Sequence, residues 1–370
     1  MKVLNEEQVR ILEGFKQKVV RHPRLQEVME ELYARSLNPA GQALTAVIGP
    51  TGAGKTTLLH QVENALLEIH AERLQADQSF LPFVSVEVRS PPNWKQFFKD
   101  ILENADEIQI KFKQAFREAT PAGSQTDRPA DPSPVAHRVA VEHMLRHRGL
   151  PPLLIDESQH LLKVAGGKKL IDQMDDLKSL SNMAGVKIVL FGNYELLSCG
   201  QLSDQLARRG CEIHFSRYRL DDSSDVQVFQ NIIATFAKAL PLHPSLDLLH
   251  QWKYLYRGSL GCVGTLEEWL HAGLAEALRS GRTELTPRDL QKTVRSDAAL
   301  LKMAGELKKG ELTWDLRKAK GRELDSLLGF DVPSPPPACA SAPDKAAGRG
   351  RRPGERAPIR DPVGLSEVLK

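Results

Sequence analysis

Four cysteines in 370 residues (Cys199, Cys211, Cys262 and Cys339) make no C-x-x-C pair and no zinc spacing. That disfavours a disulfide framework or a structural zinc site and suits reduced thiols in a cytosol. No apolar run approaches the length of a membrane span, and Met1–Glu7 has no apolar signal core. The eleven histidines form no H-E-x-x-H or other ligand set, and no serine-hydrolase elbow is present. Charge of one sign is also lacking: 50 Lys and Arg against 47 Asp and Glu leave a formal net charge of +3. This balance neither demands nor excludes a nucleic-acid partner, so any DNA site is a local patch. With 41% hydrophobic content, the chain reads as a soluble cytoplasmic protein of one large or two modest domains.

What is there is a phosphate-binding loop. Gly49-Pro50-Thr51-Gly52-Ala53-Gly54-Lys55-Thr56 spells G-x-x-x-x-G-K-[ST], and Thr57 follows it. The glycines let the backbone curl until successive N–H groups converge on phosphate oxygens. In that arrangement Lys55 reaches the β- and γ-phosphates of ATP, Thr56 offers its hydroxyl to Mg²⁺, and a helix starting here adds its positive end. Ala43–Ile48 reads as a buried strand entering the loop and Thr57–Leu67 as the helix leaving it.

Strands alternate with helices along the first 219 residues. Residues 5–38 look helical, with Val9, Leu12 and Phe15 or Lys16 on one face, and Asn38-Pro39-Ala40-Gly41 breaks the segment. Further strands are expected at Phe83–Val88, Pro152–Ile155, Lys187–Phe191 and Glu212–Phe215. Helices are expected within 93–118, 134–147 and 170–183, with a short one ending near Arg209; Thr120–Pro134 reads as a mobile surface loop. Such alternation predicts an α/β core (41–219) built on a parallel five-stranded sheet between helices. A helical segment (1–40) precedes it. After Leu220 the strands are expected to stop. Asp222 or Ser223 caps a helix carrying Val226, Phe229, Ile233, Phe236 and Leu240, and helices continue at 245–256, 263–279 and from Thr286-Pro287. This predicts an all-helical lid (220–300), a charged helical extension (301–330) and a disordered Pro/Arg-rich tail (331–370).

Leu153-Leu154-Ile155-Asp156-Glu157 supplies the second half of a nucleotide site. Asp156, at a strand end, holds Mg²⁺ directly or through water, and Glu157 polarises a water for in-line attack. The plainer alternative is an acidic pair capping the next helix. Asn193, after the fourth strand, is placed to orient that water, or is a turn asparagine. Arg208 and Arg209 read two ways: cations at a helix C-terminus, or an arginine finger reaching a neighbour's γ-phosphate. Candidate DNA contacts are Lys95 and Lys99 beside Trp94, Lys111 and Lys113 with Arg117, and Lys168 with Lys169.

The phosphate loop, Asp156–His160, Gly192–Leu197 and Gly200-Gln201-Leu202 through Arg208-Arg209 together resemble the AAA+ ATPases of bacterial transposition, the TnsC/TniB family. Ile213–Tyr218, Gly261–Leu270 and Arg21-His22-Pro23 extend the resemblance to roughly residues 5–325. It implies an AAA+ core with a helical lid. It further implies assembly of ATP-bound subunits into a ring or filament around double-stranded DNA. Such an assembly links a target selector (TniQ/TnsD type) to the transposase until ATP hydrolysis dismantles it. Arg208 or Arg209 becomes the finger acting in trans, and Lys95 and Lys99 the better DNA candidates. One departure is evident: Gly258-Ser259-Leu260-Gly261-Cys262 carries no lid arginine of the G-x-x-R kind, and Arg257 precedes that place. Losing one cation at the γ-phosphate predicts slow hydrolysis. Rival readings are a helicase-loader-type AAA+ ATPase and a nucleotide-gated adaptor with little hydrolysis.

Overall fold

The computed structural model describes residues 4–38, 40–90, 92–113, 133–163, 177, 179–181, 183–198, 210–244, 247–319 and 327–329. The chain divides into two compact units, Met1–Lys318 and Ala319–Lys370, and the first contains everything discussed below.

Five parallel strands form the central sheet: β1 (Leu44–Ile48), β2 (Val84–Glu87), β3 (Leu153–Asp156), β4 (Ile188–Gly192) and β5 (Gly210–His214), in the order β2-β3-β4-β1-β5. Successive side chains of a strand point to opposite faces, which divides the core in two. Leu44, Ala46, Ile48, Leu153, Ile155, Ile188 and Leu190 face α5 (Trp94–Lys113) and α6 (Pro134–His147). Val47, Leu154, Val189 and Phe191 face α2 (Pro23–Leu32) and α3 (Lys55–Ile69), which is followed by the short α4 (Ala71–Ala76). β1, β3 and β4 are buried throughout, as a parallel sheet covered on both faces requires.

The N-terminal segment is not one helix. α1 (Glu6–Lys16) ends in a turn, the chain runs extended to His22, and α2 begins at Pro23, followed by a π turn at Tyr33–Leu37. Proline is favoured at the first helical position, and the residue before it is pushed out of helical conformation. Leu12 and Phe15 are buried, whereas Val9 and Lys16 are exposed.

Beyond the sheet come α7 (Ser223–Ala239), capped by Asp222, α8 (Trp252–Ser259), α9 (Val263–Arg279), α10 (Pro287–Thr293) and α11 (Asp297–Ala319). Phe229, Ile233, Phe236, Leu266, Trp269 and Leu270 belong to the shared core of α7 to α10, which also takes in Leu12 and Phe15 of α1, whereas Trp314 of α11 packs into the sheet-side core. Strands do not stop at Leu220: β6 (His243–Pro244) pairs in parallel with β7 (Glu284–Leu285). The helix expected over 245–256 is correspondingly shorter. Two-residue strands have too few side chains to show alternation, so only the pairing reveals them. The described part of the expected 170–183 helix is helical at residues 177, 179–181 and 183–184; most of Thr120–Pro134, the short helix before β5 and the tail lie outside the described residues.

Candidate nucleotide site

β1 delivers the chain to Gly49, whose N–H donates to the Gly192 carbonyl at 3.2 Å, so the loop starts pinned to the end of β4. Gly52 (φ +79°) and Gly54 (φ +104°) take left-handed conformations that other residues rarely adopt, and Gly54 leads straight into α3. A Cβ on Gly52 would also lie 2.0 Å from Thr265 Oγ1. The loop is therefore shaped from both sides: by its own turn, and by the N-terminus of α9, where Thr265 N donates to Gly52 O at 3.0 Å. The Thr265 hydroxyl is buried there without a hydrogen-bond partner.

Lys55 is 7% exposed, and its Nζ donates to the carbonyls of Gly49 (3.1 Å) and Pro50 (2.8 Å). Burial lowers the pKa of this ammonium, and the carboxylates of Glu157 and Asp156 work against that shift. A desolvated cation beneath a glycine-rich loop is an anion receptor. Thr56 Oγ1 donates to Asp156 Oδ2 at 2.8 Å, closing the gap between loop and β3. Burial raises the Asp156 pKa, opposed by the bonds from Thr56 and the Glu157 backbone N–H. This hydroxyl–carboxylate pair has the hard oxygen donors that Mg²⁺ takes, few enough to leave room for phosphates and water. Among the described residues no cluster of three or more His, Cys, Asp or Glu forms another metal site.

Glu157 holds φ +50°, strained for a residue with a side chain. Its carboxylate accepts from Gln159 Nε2, and His160 Nε2 stands 3.9 Å away. The strand order puts β4 beside β3, which brings Asn193 to the same edge as Asp156 and Glu157. Asn193 Oδ1 accepts from Glu195 N at 2.9 Å, the pattern of a turn asparagine.

Two further features flank the loop. A cavity of about 320 Å³ lies between Pro50, Thr51 and Asn193 on one side and Met303, Leu307 and Gly310 of α11 on the other. The Tyr194 ring rests on Gly310, and Arg217 binds Glu311 through Nε (2.7 Å) and Nη2 (3.1 Å), fastening α11 to the core. A glycine within a long helix is the one hint of this seat. On the opposite side, a narrow crevice is lined by His22, Leu25, Gly54, Thr57, Gly264 and Glu267. Burial, with Arg24 nearby, drops the His22 pKa to about 4.

The remaining candidates are dispersed. Arg208, Arg209, Arg117, Lys168 and Lys169 lie outside the described residues, and Lys111 and Lys113 are described in backbone only. Lys95 is half-buried on α5; Lys99 is exposed, 3.6 Å from the Glu103 carboxylate. Trp94 is half-buried and packs against Phe97 (5.5 Å) and Phe98 (5.6 Å) at the edge of the core. Arg257 pairs with Asp297 at 2.9 Å in solvent.

Residues 38–199 match the AAA domain family. No curated protein matches the chain. Among solved structures, it is similar to the ORC2 protein of Aeropyrum pernix in ADPNP–ADP complexes, at 14% identity over 76% of this chain and 70% of that one, TM-score 0.49. It is also similar to Cdc6p from Pyrobaculum aerophilum (15% identity, 76% and 69% covered, TM-score 0.49). A Walker-type ATPase of Pyrococcus abyssi is a third (17% identity, 84% and 81% covered, TM-score 0.46). The matched segment, the five-stranded parallel sheet and the phosphate loop between β1 and α3 make this the AAA+ P-loop fold, followed by a largely helical C-terminal region.

Proposed function

We propose that the chain is an ATP-dependent, DNA-binding AAA+ regulator of DNA transposition. It assembles on double-stranded target DNA with ATP bound, links a target selector to the transposase, and comes apart on slow ATP hydrolysis. The observation that carries the enzymatic part is the 2.8 Å contact of Thr56 with Asp156, with Glu157 next in the chain. It brings two oxygens suited to Mg²⁺ and a candidate general base to one edge of the loop that holds Lys55. The transposition part rests on the sequence resemblance.

Gly49–Thr57 bind the triphosphate, and Lys55 supplies positive charge at its β–γ end. Thr56 and Asp156 would hold Mg²⁺, which would supply positive charge against the charge developing on the phosphates. Glu157 accepts the proton of the attacking water, and Asn193 orients that water. Arg208 or Arg209 completes a neighbour's site in trans. Slow turnover is supported by the lid: Gly261 stands where a G-x-x-R pattern starting at Gly258 would put the arginine, and Arg257 pairs with Asp297 in solvent. Lys95 and Lys99 on α5 are the proposed contacts to the DNA backbone.

The test is electron microscopy of the full chain with linear duplex and a slowly hydrolysed ATP analogue. Protein coating the duplex, lost in Lys55→Ala, is expected. Equal DNA affinity with and without ATP overturns the assembly role. Co-purification with a replicative helicase favours a helicase loader instead. Glu157→Gln is expected to keep ATP and DNA bound while phosphate release falls on the order of 10²-fold or more; unchanged release refutes the role of Glu157.

A further inference from the structure

Gln159 is 4% exposed, and both ends of its side-chain amide are in use. Oε1 accepts from the backbone N–H of Asn193 at 3.1 Å. Nε2 donates to Glu157 Oε2. One buried amide thus joins the carboxylate at the end of β3 to the backbone at the end of β4. The space for it is built in: a Cβ on Gly192 would lie 2.9 Å from Gln159 Oε1, 3.0 Å from Ser158 Oγ and 2.5 Å from Leu196 Cδ1. Ser158 reinforces the junction by donating to the Phe191 carbonyl at 2.7 Å.

Glu157 needs such a tether. Its left-handed backbone is a conformation that residues with a side chain rarely adopt, and the described contacts to its carboxylate come from Gln159 and, at 3.9 Å, His160. Gln159 reaches it from a short 3-10 helix (Ser158–Lys163) welded to β4. The chain of contacts therefore runs from the Asn193 N–H at the β4 end, through the Gln159 amide, to the Glu157 carboxylate.

We propose that Gln159 is a positioning residue that aims the Glu157 carboxylate and couples its direction to the end of β4. This rests on the hydrolytic reading of Glu157 given above. Gln159 touches no reacting atom itself. A buried amide merely filling space would act independently of Glu157, whereas a tether acts only through it.

Steady-state and single-turnover ATP hydrolysis by the full chain separates the two. Gln159→Leu, which keeps the bulk and loses both bonds, is expected to lower kcat about tenfold with KM for ATP within about twofold, since ground-state binding is untouched. Gln159→Glu keeps the acceptor for Asn193 N–H but has no N–H for Glu157, and is expected to lose as much. In a Glu157→Ala background, Gln159→Leu is expected to add no further loss to the residual rate. Multiplying losses in that double variant overturn the proposal, and so does wild-type kcat in Gln159→Glu. The same cycle, read as thermal unfolding of nucleotide-free protein, reports the contact without catalysis: non-additive shifts support the tether and additive shifts overturn it. A wild-type chain that hydrolyses no ATP defeats the hydrolytic reading instead, and the unfolding cycle then decides the tether alone.

Discussion

The phosphate corner and the helical lid are opposite answers to the problem of burial. In the corner, Lys55 and Asp156 are polar groups held out of water, and Glu157 sits on a strained backbone. The lid core buries Phe229, Leu266, Trp269 and Leu274, and its buried acids Asp225 and Asp289 are each paired, with Arg24 and Arg282. Trp269, whose one polar atom donates to Leu290 O at 3.0 Å, is satisfied in place. Desolvated charge costs stability unless paired; buried apolar surface supplies it. The corner is thus arranged for a ligand, and the lid for holding together the wall against which the corner is formed. They meet where Thr265 N bonds to Gly52 O, so the apolar lid fixes the shape of the polar loop.

Substitutions in the two regions sharpen this contrast. Trp269→Ala is expected to have the largest effect, a loss of about 3–5 kcal/mol for a buried aromatic in the lid. Chemical denaturation measures it; a loss below ~1 kcal/mol breaks the account of the lid as the stabilising region. Lys55→Ala reverses the pattern. Nucleotide affinity is expected to fall about 100-fold or more, since charge-assisted bonds to phosphate are lost. The melting temperature is expected to hold or rise, because burial depresses the pKa of this ammonium. Calorimetric titration and thermal unfolding read the two halves, and a steep fall in melting temperature contradicts the claim that the corner gives up stability for binding.

Glu267 tests the boundary between the regions. Burial, with Glu268 beside it and Lys16 opposing, pushes its carboxyl up to about 7 from the usual 4.5. The folded chain then binds this proton more tightly than the unfolded chain. Stability from this group is full below about pH 4.5 and declines as pH rises through about 7. Glu267→Gln is expected to be more stable than wild type at pH 8, on the order of 1 kcal/mol, and equal at pH 4. A gain independent of pH excludes ionisation as its cause. Arg257→Ala is expected to do least. Its exposed pair with Asp297 contributes below about 1 kcal/mol, and ATP turnover should stay within about twofold of wild type. A tenfold loss of turnover would reinstate Arg257 as a γ-phosphate ligand.

Much of this was legible in the residues. The apolar runs at 44–48, 153–155 and 188–191 are strands because each is buried on both faces, and helix α9 spans Val263–Arg279, the expected range. Asp222 and Thr286 cap the helices they were expected to start. Pro23 marks a boundary that helical periodicity over 5–38 concealed, because a proline may stand inside the first turn of one helix or separate two. β6 and β7 are too short to show a pattern. Gln159 stood in the Asp156–His160 segment without a role of its own: its meaning depends on Asn193, 34 residues away, and on a glycine that leaves room for it. Trp94 beside Lys95 and Lys99 suggested a nucleic-acid surface, yet the ring turns inward because Phe97 and Phe98 offer it apolar cover.

The sequence by itself determined the sheet, the phosphate loop and the acidic pair, since these depend on local spacing, strand burial and backbone freedom within short segments. Tertiary structure alone decided which distant groups became neighbours. It set Thr56 against Asp156, Gln159 between Glu157 and Asn193, Thr265 over Gly52 and Gly310 under Tyr194. The physical reason is range: hydrogen bonds and packing act over a few ångströms, and only the folded chain brings residues about a hundred positions apart within that distance.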